Sequence, residues 1–304
     1  MLPKIKLILN PICNHGRSLQ SAADLRPLLA GQDADWGGTE YPGHAIELAR
    51  LAGEQGYGLV VALGGDGTVH EVVNGLMQVA PEKRPALGII PIGSGNDFAH
   101  ILAIPPDPGL ALRSALNGAS RPLDIASVQD ENGRLEYFNN TIGIGFDAVV
   151  NIYTRRITRI HGFMMYFIAL IQTIFRSFDA IDLHVETDQE SWDLNTLMLA
   201  LGNGPREGGG FLVTPAARYD DGILNYVTIR KISRLMMLRL VPEVMNGTHG
   251  RFKVVQMGTC RKMSVVSRQP LYVHCDGEVY AGFGTDIRKL RIELQPAAIR
   301  FMRE

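Results

Sequence analysis

The first third of the chain alternates short apolar runs with longer stretches whose apolar residues recur at helical spacing. The apolar runs predict buried strands over residues 6–9, 59–63 and 87–91. The helical spacing predicts helices over residues 18–29, 45–55 and 68–77. Strands that alternate with helices are typical of a parallel sheet covered on both faces, so we expect an α/β domain at the N-terminus.

From about residue 124 the pattern changes to short segments in which apolar and polar residues alternate. This pattern predicts antiparallel strands over residues 124–128, 135–139, 181–186, 195–201 and 223–229. Helical spacing predicts one long helix over residues 148–178 and another over 233–245, and a last strand is expected over 289–301. The second domain should therefore be β-rich, and the last strand could return to either domain.

Three loops rich in Gly or Asn follow strands predicted for the first domain, at residues 10–16, 64–68 and 91–97. In parallel sheets, ligands bind beyond the carboxyl ends of the strands. These loops are therefore the candidate binding site.

The loop at residues 64–68 reads Gly-Gly-Asp-Gly-Thr and leads from a buried strand directly into a helix. Such a turn points backbone N–H groups and the positive end of the helix dipole at one spot, which favours phosphate. A carboxylate there, Asp66, would repel a phosphate unless a cation lies between them or the carboxylate transfers a proton. The turn therefore indicates a phosphate site with Mg²⁺ or a catalytic acid, and a Gly-rich loop capped by Thr68 is the alternative.

Composition and charge narrow the class of protein. The 304 residues are 46% hydrophobic and 20% charged, which is typical of a globular protein with room for two domains or one large α/β domain. The formal net charge of -1 argues against a general nucleic-acid binder, so no nucleic-acid partner is expected. Residues 1–150 hold 10 Lys and Arg against 16 Asp and Glu, whereas residues 151–304 hold 20 against 15. The basic second half would favour an anionic membrane surface.

Cysteine usage and hydropathy bear on the cellular location. The three cysteines show no metal-ligand spacing, which predicts a reduced protein in the cytoplasm. The most apolar stretch, residues 163–175, is shorter than the roughly 20 residues of a membrane-spanning helix. It follows a basic segment at residues 155–161, so together they could rest on an anionic membrane. We favour the alternative that this helix covers a sheet, and expect a cytoplasmic protein at most peripheral to the inner membrane face.

A set of short motifs runs nearly from end to end of the chain. They are Asn10-Pro11 and residues 39–45, 64–75, 91–99, 143–148, 208–210, 215–216, 220–222 and 276–278. Together and in this order, they resemble the soluble lipid kinases that share the diacylglycerol kinase catalytic domain, including bacterial diacylglycerol kinases and sphingosine kinases.

The resemblance implies an α/β N-terminal domain, with a parallel sheet similar to those of phosphofructokinases and NAD kinases, and a β-sandwich second domain. The nucleotide cleft would lie between them. Residues 1–124 and 287–304 would form the nucleotide-binding domain, and residues 125–286 the lipid-substrate domain. The last strand would then return to the first domain.

The implied reaction is transfer of the γ-phosphoryl group of ATP, with Mg²⁺, to a lipid hydroxyl at a membrane surface. Diacylglycerol is the default lipid, but a monoacylglycerol, a sphingoid base, a ceramide or phosphatidylglycerol would suit the same motifs. A kinase of a soluble metabolite and a non-catalytic nucleotide- or lipid-binding regulator are the alternatives. The full set of acidic residues expected at the catalytic site argues against a regulator, because a protein that only binds does not need them. The sequence does not define the oligomeric state, and a homodimer is compatible with it.

The resemblance also assigns residues to the nucleotide and to Mg²⁺. The nucleotide would contact Asn10, Thr39, Ser94 and the turn formed by Gly64, Gly65, Asp66, Gly67, Thr68, Val69 and His70. Asp66, Asp97 and Asp124 would organise catalytic Mg²⁺ through water. The alternatives are a turn residue for Thr39, a helix cap for Asp97 and a structural partner of a backbone loop for Asp124. The first loop lacks the usual Ser-Gly or Ala-Gly, and His70 stands where many members carry Asn.

Glu278 is the expected general base, because Gly277 permits a turn that can aim this carboxylate into the cleft between the domains, where a base must reach the acceptor hydroxyl. Asp276 would hold the loop or compete for the same role, and a plain hairpin turn with solvated acids is the alternative. A second, structural Mg²⁺ is implied at the carbonyls of Arg218 and Ile223 and the side chain of Asp221. A plain Asp-Gly turn is the alternative there.

Overall fold

The computed structural model describes residues 4–157, 160 and 162–304. The chain forms two compact units. Unit 1 comprises Met1–Ile125 and Pro296–Glu304, and unit 2 comprises Ala126–Gln295.

Unit 1 alternates strands with helices, as the apolar pattern predicts. Its strands are β1 (Ile5–Leu9), β2 (Ala34–Gly38), β3 (Leu59–Gly64), β4 (Ala86–Pro91) and the start of β5 (Ala119–Asp130). Its helices are α1 (Arg17–Leu25), α2 (His44–Glu54), α3 (Asp66–Met77), α4 (Asp97–Ile101) and α5 (Pro108–Asn117). Short 3-10 helices lie at Cys13–Gly16, Arg26–Leu29 and Pro81–Lys83.

Unit 2 is built mainly of strands. They are the end of β5, then β6 (Leu135–Phe138), β7 (Thr141–Gly145), β8 (Ile181–Thr187), β9 (Ser191–Gly202), β10 (Leu224–Arg230), β11 (Val255–Cys260), β12 (Lys262–Ser267), β13 (Val273–Cys275), β14 (Glu278–Ala281) and the start of β15 (Lys289–Arg303). Its helices are α6 (Phe146–Thr154), α7 (Phe163–Arg176) and α8 (Arg234–Met245), with a 3-10 helix at His249–Arg251.

The sheet of unit 1 is parallel, with β1 between β2 and β3, and β4 beyond β3. Every residue of β3 and β4 is buried, as expected for strands covered on both faces. The end of β15 joins this sheet, where Phe301 pairs in parallel with Leu87 of β4. The predicted α/β domain is therefore confirmed.

The strands of unit 2 pair in antiparallel fashion, in the order β14, β13, β7, β9, β8, β12 and β15, while β10 pairs with β9 and β11. One apolar core lies among the strands and includes Phe138 and Val265. A second core packs α6, α7 and α8 against β9 and β10.

Some predicted elements differ from the observed ones. The single helix expected over residues 148–178 is two helices, because residues 155–157, directly after α6, are not helical and Gly162 precedes α7 with a positive φ of 65°. The predicted return to the first domain at residue 287 comes later, at Pro296. The reason is that residues 289–293 of β15 pair with β12 of unit 2 before the strand reaches β4. Strand β2 has no apolar run and was not predicted.

Candidate active site

Unit 1 brings the three Gly- and Asn-rich loops to one edge of its sheet. Leu9 is in register with both Gly38 and Leu63, and Gly64 is in register with Pro91. The residues that follow these strands therefore emerge side by side at the carboxyl edge, where parallel sheets bind ligands.

Two of these loops touch through their backbones, and this contact requires glycine. A Cβ added to Gly93 would lie 2.5 Å from Cα of Gly65, and one added to Gly65 would lie 3.1 Å from Cα of Gly93. A Cβ on Gly64 would overlap the Thr68 side chain. Glycine at these positions lets the loop at residues 91–97 pack directly on the turn before α3.

Asp66 connects the same two loops through its carboxylate. It is the first residue of α3, and its Oδ2 and Oδ1 accept hydrogen bonds from the N–H groups of Asp97 (3.2 Å) and Phe98 (3.1 Å). These are the first amides of α4, which lack partners within that helix. Asp66 therefore caps α4. The N-cap position of α4 is Asn96, so the buried Asp97, its first residue, does not occupy the capping position that was its alternative role.

Asn10 and Thr68 are also brought together, with Asn10 Nδ2 donating to Thr68 Oγ1 at 3.3 Å. The amides of Thr68 and Val69 donate to the carbonyl of Gly65, so they are used inside the helix. The His70 ring is buried, with Nε2 3.3 Å from Asn74 Nδ2, so a contact with phosphate would have to come from its backbone. The loop backbone at residues 65–67 is the part best placed to approach a phosphate.

The other nucleotide candidates sit at the same edge. The Thr39 amide donates to the Leu9 carbonyl at 2.8 Å, which fixes Thr39 beside the first loop. Ser94 is exposed in the loop at residues 91–97. Their contacts with a nucleotide stay predictions.

Asp124 is buried and has a clear structural partner. Its Oδ1 accepts the N–H of Ala297 at 2.7 Å, and Ala297 has a left-handed φ of 49°. Asp124 therefore holds a left-handed residue within strand β15, which is the structural role that was its alternative. Its role near Mg²⁺ stays a prediction.

Binding of Mg²⁺ by the three acids of unit 1 stays a prediction. Carboxylate oxygens are suitable ligands, and Mg²⁺ in proteins usually keeps several waters. Among the described residues, Asp66, Asp97 and Asp124 do not form a group whose carboxylate oxygens all lie within 4.8 Å of one another. Water-mediated binding, as the resemblance implies, is compatible with this spacing.

In unit 2, Glu278 begins β14 directly after a tight turn. Asp276 and Gly277 both have left-handed φ values, 51° and 83°, and Cys275 pairs with Glu278. This is the geometry of a two-residue hairpin turn, for which Asp-Gly is a strong signal. The half-exposed Glu278 carboxylate pairs with the guanidinium of Arg155, just after α6.

Asp276 holds this turn. Its carboxylate accepts the N–H groups of Asn139, Asn140 and Thr141 at 2.8–3.0 Å. With its oxygens committed to three backbone donors, Asp276 is a loop anchor, the first of the two roles weighed for it.

Next to the turn at Asp276 and Gly277 lies a buried polar network that the sequence patterns do not predict. His274 Nε2 lies 3.0 Å from Asp147 Oδ2 and 3.8 Å from Glu207 Oε2. The Tyr166 hydroxyl lies 2.9 Å from Asp147 Oδ1 and 3.2 Å from Glu207 Oε1, and Thr141 Oγ1 donates to Glu207 Oε2 at 2.7 Å. All five residues are buried. Asp147 lies in the motif at residues 143–148, but its partners come from distant segments, so only the fold reveals the network.

Burial and neighbouring charges shift the pKa values of the two carboxyl groups in this network in opposite directions. Burial, together with the neighbouring Asp147, raises the pKa of Glu207 to about 8. Burial alone would also raise the pKa of Asp147, but His274 and three hydrogen bonds lower it overall. At neutral pH, Glu207 is therefore a neutral acid and Asp147 carries the negative charge.

The protonation of His274 follows from both of its nitrogens. Burial disfavours charge on the ring, yet Asp147 raises the pKa of His274 overall. Against this, Nδ1 accepts the N–H of Gly277 at 3.2 Å, a bond that a ring protonated on both nitrogens would have to give up. The neutral ring with its proton on Nε2 satisfies both Gly277 and Asp147.

Asp147, Glu207 and His274 place one ligand atom each within 4.8 Å of one another, a spacing that could hold a metal. The histidine does not fit that role. Metal-bound imidazoles donate their second ring N–H to an acceptor. Here the second nitrogen of His274 faces the N–H of Gly277. The cluster therefore holds a proton rather than a metal ion.

An apolar cavity of about 50 Å³ adjoins this network in unit 2. Its walls come from α6, α7, α8, β9 and β10, and include Leu170, Met198, Met237 and Val241. Its polar wall is made by Asp147, Tyr166, Glu207 and His249. Burial lowers the pKa of His249, which is therefore neutral.

The loop expected to hold a structural Mg²⁺ is exposed. Asp221 Oδ1 accepts the N–H of Ile223 at 3.1 Å, and Gly222 has a φ of 72°, which together describe an Asp-Gly turn. Arg218 forms an ion pair with Asp220 at 3.5 Å. Metal binding by Arg218, Asp221 and Ile223 stays a prediction.

Comparison with known proteins agrees with the two-unit fold. Residues 4–128 match the diacylglycerol kinase catalytic domain. Residues 140–303 match the YegS C-terminal NAD kinase beta sandwich-like domain. The crystal structure of a diacylglycerol kinase from Bacillus anthracis str. Sterne superposes with a TM-score of 0.75 at 21% identity, covering 99% of this chain and 97% of that one. The architecture is therefore an α/β domain joined to a β-sandwich, as predicted.

Relatives point to the same class. A Chromohalobacter salexigens protein named "Probable lipid kinase YegS-like" is 38% identical over 206 residues, 67% of this chain and 64% of that protein. A Mycobacterium tuberculosis diacylglycerol kinase is 29% identical over 307 residues, 99% of this chain and 95% of that protein. The class is that of kinases. Within it, this chain belongs to the lipid kinase family that joins a diacylglycerol kinase catalytic domain to a YegS-type C-terminal domain. No helix among the described residues is long and apolar enough to cross a membrane.

Proposed function

We propose that this protein transfers the γ-phosphoryl group of ATP, with Mg²⁺, to the hydroxyl of a lipid, with diacylglycerol as the first candidate. The observation that carries the lipid part of this proposal is the apolar cavity of unit 2, which ends in a polar wall. An apolar pocket with a few convergent polar groups suits an amphiphile where its chain meets its head, and at about 50 Å³ this cavity has room for only part of an acyl chain.

The loops of unit 1 support the nucleotide part. Phosphoryl transfer depends mainly on positioning and on neutralising charge, and glycine loops before a helix supply backbone donors for phosphates. Mg²⁺, when bound, would neutralise charge on the transferred group, and Asp66, Asp97 and Asp124 would hold it through water. Asp66 would also fix the loop at residues 91–97, because its carboxylate accepts hydrogen bonds from two backbone amides at the end of that loop.

Glu278 is the proposed general base. It would accept the proton of the lipid hydroxyl as the phosphoryl group is transferred. The hairpin turn before Glu278 fixes the position of its backbone. Arg155, paired with this carboxylate, would limit the directions in which the carboxylate points.

The decisive experiment measures transfer of γ-labelled phosphate from ATP to micellar diacylglycerol, monoacylglycerol, sphingoid base, ceramide and phosphatidylglycerol. We expect one lipid to be labelled, and the label to fall about 100-fold or more in both Asp66→Asn and Glu278→Gln. Glu82→Gln in unit 1 and Glu186→Gln in unit 2 remove exposed acids in the same way and should keep full activity. Binding of ATP without any labelled lipid would contradict the proposal.

The cavity is tested separately by filling it. Met237→Trp should raise KM for long-chain acceptors about 10-fold while a short-chain diacylglycerol is much less affected, because added volume competes with the acyl chain. Leu135→Trp, at an exposed site of β6, is the control. An equal effect on both chain lengths would rule out this cavity as the acyl site.

We also propose a peripheral contact with an anionic membrane. Helix α7 covers the sheet with Ala169, Leu170 and Ile174, but leaves Met164 and Phe175 more than half exposed. Exposed apolar side chains beside arginines suit an anionic lipid surface. Sedimentation with anionic vesicles should decrease with added salt and in Met164→Ser/Phe175→Ser, and no binding at low salt would contradict this contact.

A further inference from the structure

The turn that carries Glu278 is held on two sides. On one side, the Asp276 carboxylate accepts three amides from the segment at residues 139–141. On the other side, the Gly277 amide donates to His274 Nδ1 at 3.2 Å. The pairing of β13 with β14 also shifts register between Val273 and His274, an irregularity that commonly re-aims a side chain near an active site.

His274 joins this turn to the wall of the cavity. Its ring is 1% exposed, and its Nε2 proton points at Asp147, which lies in the first turn of α6 and lines the cavity. The far end of α6 leads to Arg155, whose guanidinium pairs with Glu278. One helix thus contacts the cavity near its start and the Glu278 carboxylate just after its end.

Glycine leaves room for this connection. A Cβ on Gly143 would overlap both Asp147 Oδ2 and His274 Nε2, and a Cβ on Gly208 would lie 2.8 Å from the Tyr166 ring. Two of the motifs noted in the sequence, at residues 143–148 and 208–210, therefore serve the same network as the one at residues 276–278.

We infer that His274 is a positioning residue: it directs Glu278 through the Gly277 amide and couples that turn to the cavity through Asp147. The inference deepens the proposed function, since it rests on Glu278 as the base. In this arrangement, a lipid in the cavity contacts Asp147 in the cavity wall. Asp147 is hydrogen-bonded to the His274 imidazole, which in turn holds the turn that carries Glu278, the proposed base.

Two substitutions separate the two hydrogen bonds of His274. In His274→Asn, Oδ1 takes the place of Nδ1 and keeps the acceptor for Gly277, while the donor to Asp147 is lost. In His274→Gln, the amide nitrogen takes the place of Nε2 and keeps the donor to Asp147, while the acceptor for Gly277 is lost. Both variants remove one buried hydrogen bond, so a merely structural role predicts similar behaviour.

We expect different behaviour. Hydrogen exchange at the Gly277 amide should speed up about 10-fold in His274→Gln and stay near the wild-type rate in His274→Asn. In the lipid kinase assay, His274→Gln should lower kcat about 10-fold or more with little change in KM for the lipid, and His274→Asn should lower it less. His184→Gln and His184→Asn, at an exposed histidine of β8, are the matched controls.

A measurement on the unaltered protein guards against variants that fail to fold. Nitrogen NMR of labelled histidine should show a buried ring protonated at Nε2, with Nδ1 as an acceptor. The opposite tautomer, or equal exchange and equal kcat in the two variants, would overturn the inference. If the wild type labels no lipid, the proposed function fails, while exchange and tautomer still decide whether His274 holds the turn.

Discussion

The two units place their polar groups in opposite ways. Unit 1 gathers them at an open sheet edge, where loop backbones and the Asp66 carboxylate surround the starts of two helices. Unit 2 encloses its titratable groups, so that Asp147, Glu207 and His274 satisfy one another away from water. An edge built from backbone can receive a large charged ligand, because its donors need no side-chain rearrangement. A closed network instead fixes the geometry of what lies next to it, at the cost of burying charge.

The largest effect should come from disturbing the closed network. Gly143→Ala would place a methyl group on Asp147 Oδ2 and His274 Nε2, both of which are buried. We expect a loss of about 2–4 kcal/mol in the free energy of unfolding, measured with urea, because overpacking and a broken network add. Gly210→Ala, where the nearest atom would be 3.6 Å away, should cost less than 1 kcal/mol or so. Equal losses would mean that the network is not rigid.

The matching change at the open edge should act mainly on binding. Gly93→Ala must separate two backbones, since its Cβ would lie 2.5 Å from Cα of Gly65. We expect ATP affinity, measured by calorimetry, to fall about 10-fold or more, with a stability loss of about 1–2 kcal/mol. Gly38→Ala has open space at the end of β2 and serves as the control. Unchanged ATP affinity in Gly93→Ala would argue that these loops do not hold the phosphates.

A pH titration sharpens the contrast, because only the closed network should respond near neutral pH. Glu207 has a folded pKa of about 8 against its ordinary 4.5, so the folded state binds the extra proton between these values. Its contribution to stability is complete below about pH 4.5 and is lost as pH rises through 8, by a few kcal/mol in all. Glu207→Gln mimics the neutral acid, so its unfolding free energy should fall less between pH 5 and about pH 9 than that of the wild type. Parallel curves for wild type and variant would contradict the assignment, and Glu186→Gln should parallel the wild type.

The contrast also explains which features could be predicted from the sequence. At the edge of unit 1, each loop follows its strand directly in the sequence. The glycines at residues 64–67 and the strands before the loops could therefore be predicted from sequence patterns. Strand β2 could not be predicted, because two of its five residues are glycine and it has no apolar run; it pairs with β1 through its backbone. The network of unit 2 joins residues 141, 147, 166, 207 and 274, and no periodicity relates such distant positions. Its visible trace was the Gly-x-Gly-Phe-Asp motif, whose first glycine leaves room for the two side chains that meet there.

The smallest expected effect concerns the exposed turn at Asp221, which resembles neither site. The carboxylate accepts one amide, from Ile223, and an asparagine can accept it equally well. Without metal, Asp221→Asn should therefore change the unfolding free energy by less than about 0.5 kcal/mol. If the turn binds Mg²⁺, adding the ion should raise the melting temperature of the wild type more than that of the variant, since ligands that bind only the folded state stabilise it. Equal shifts in both proteins would leave Asp221 as a plain turn, and any Mg²⁺ effect would then belong to the acids of unit 1.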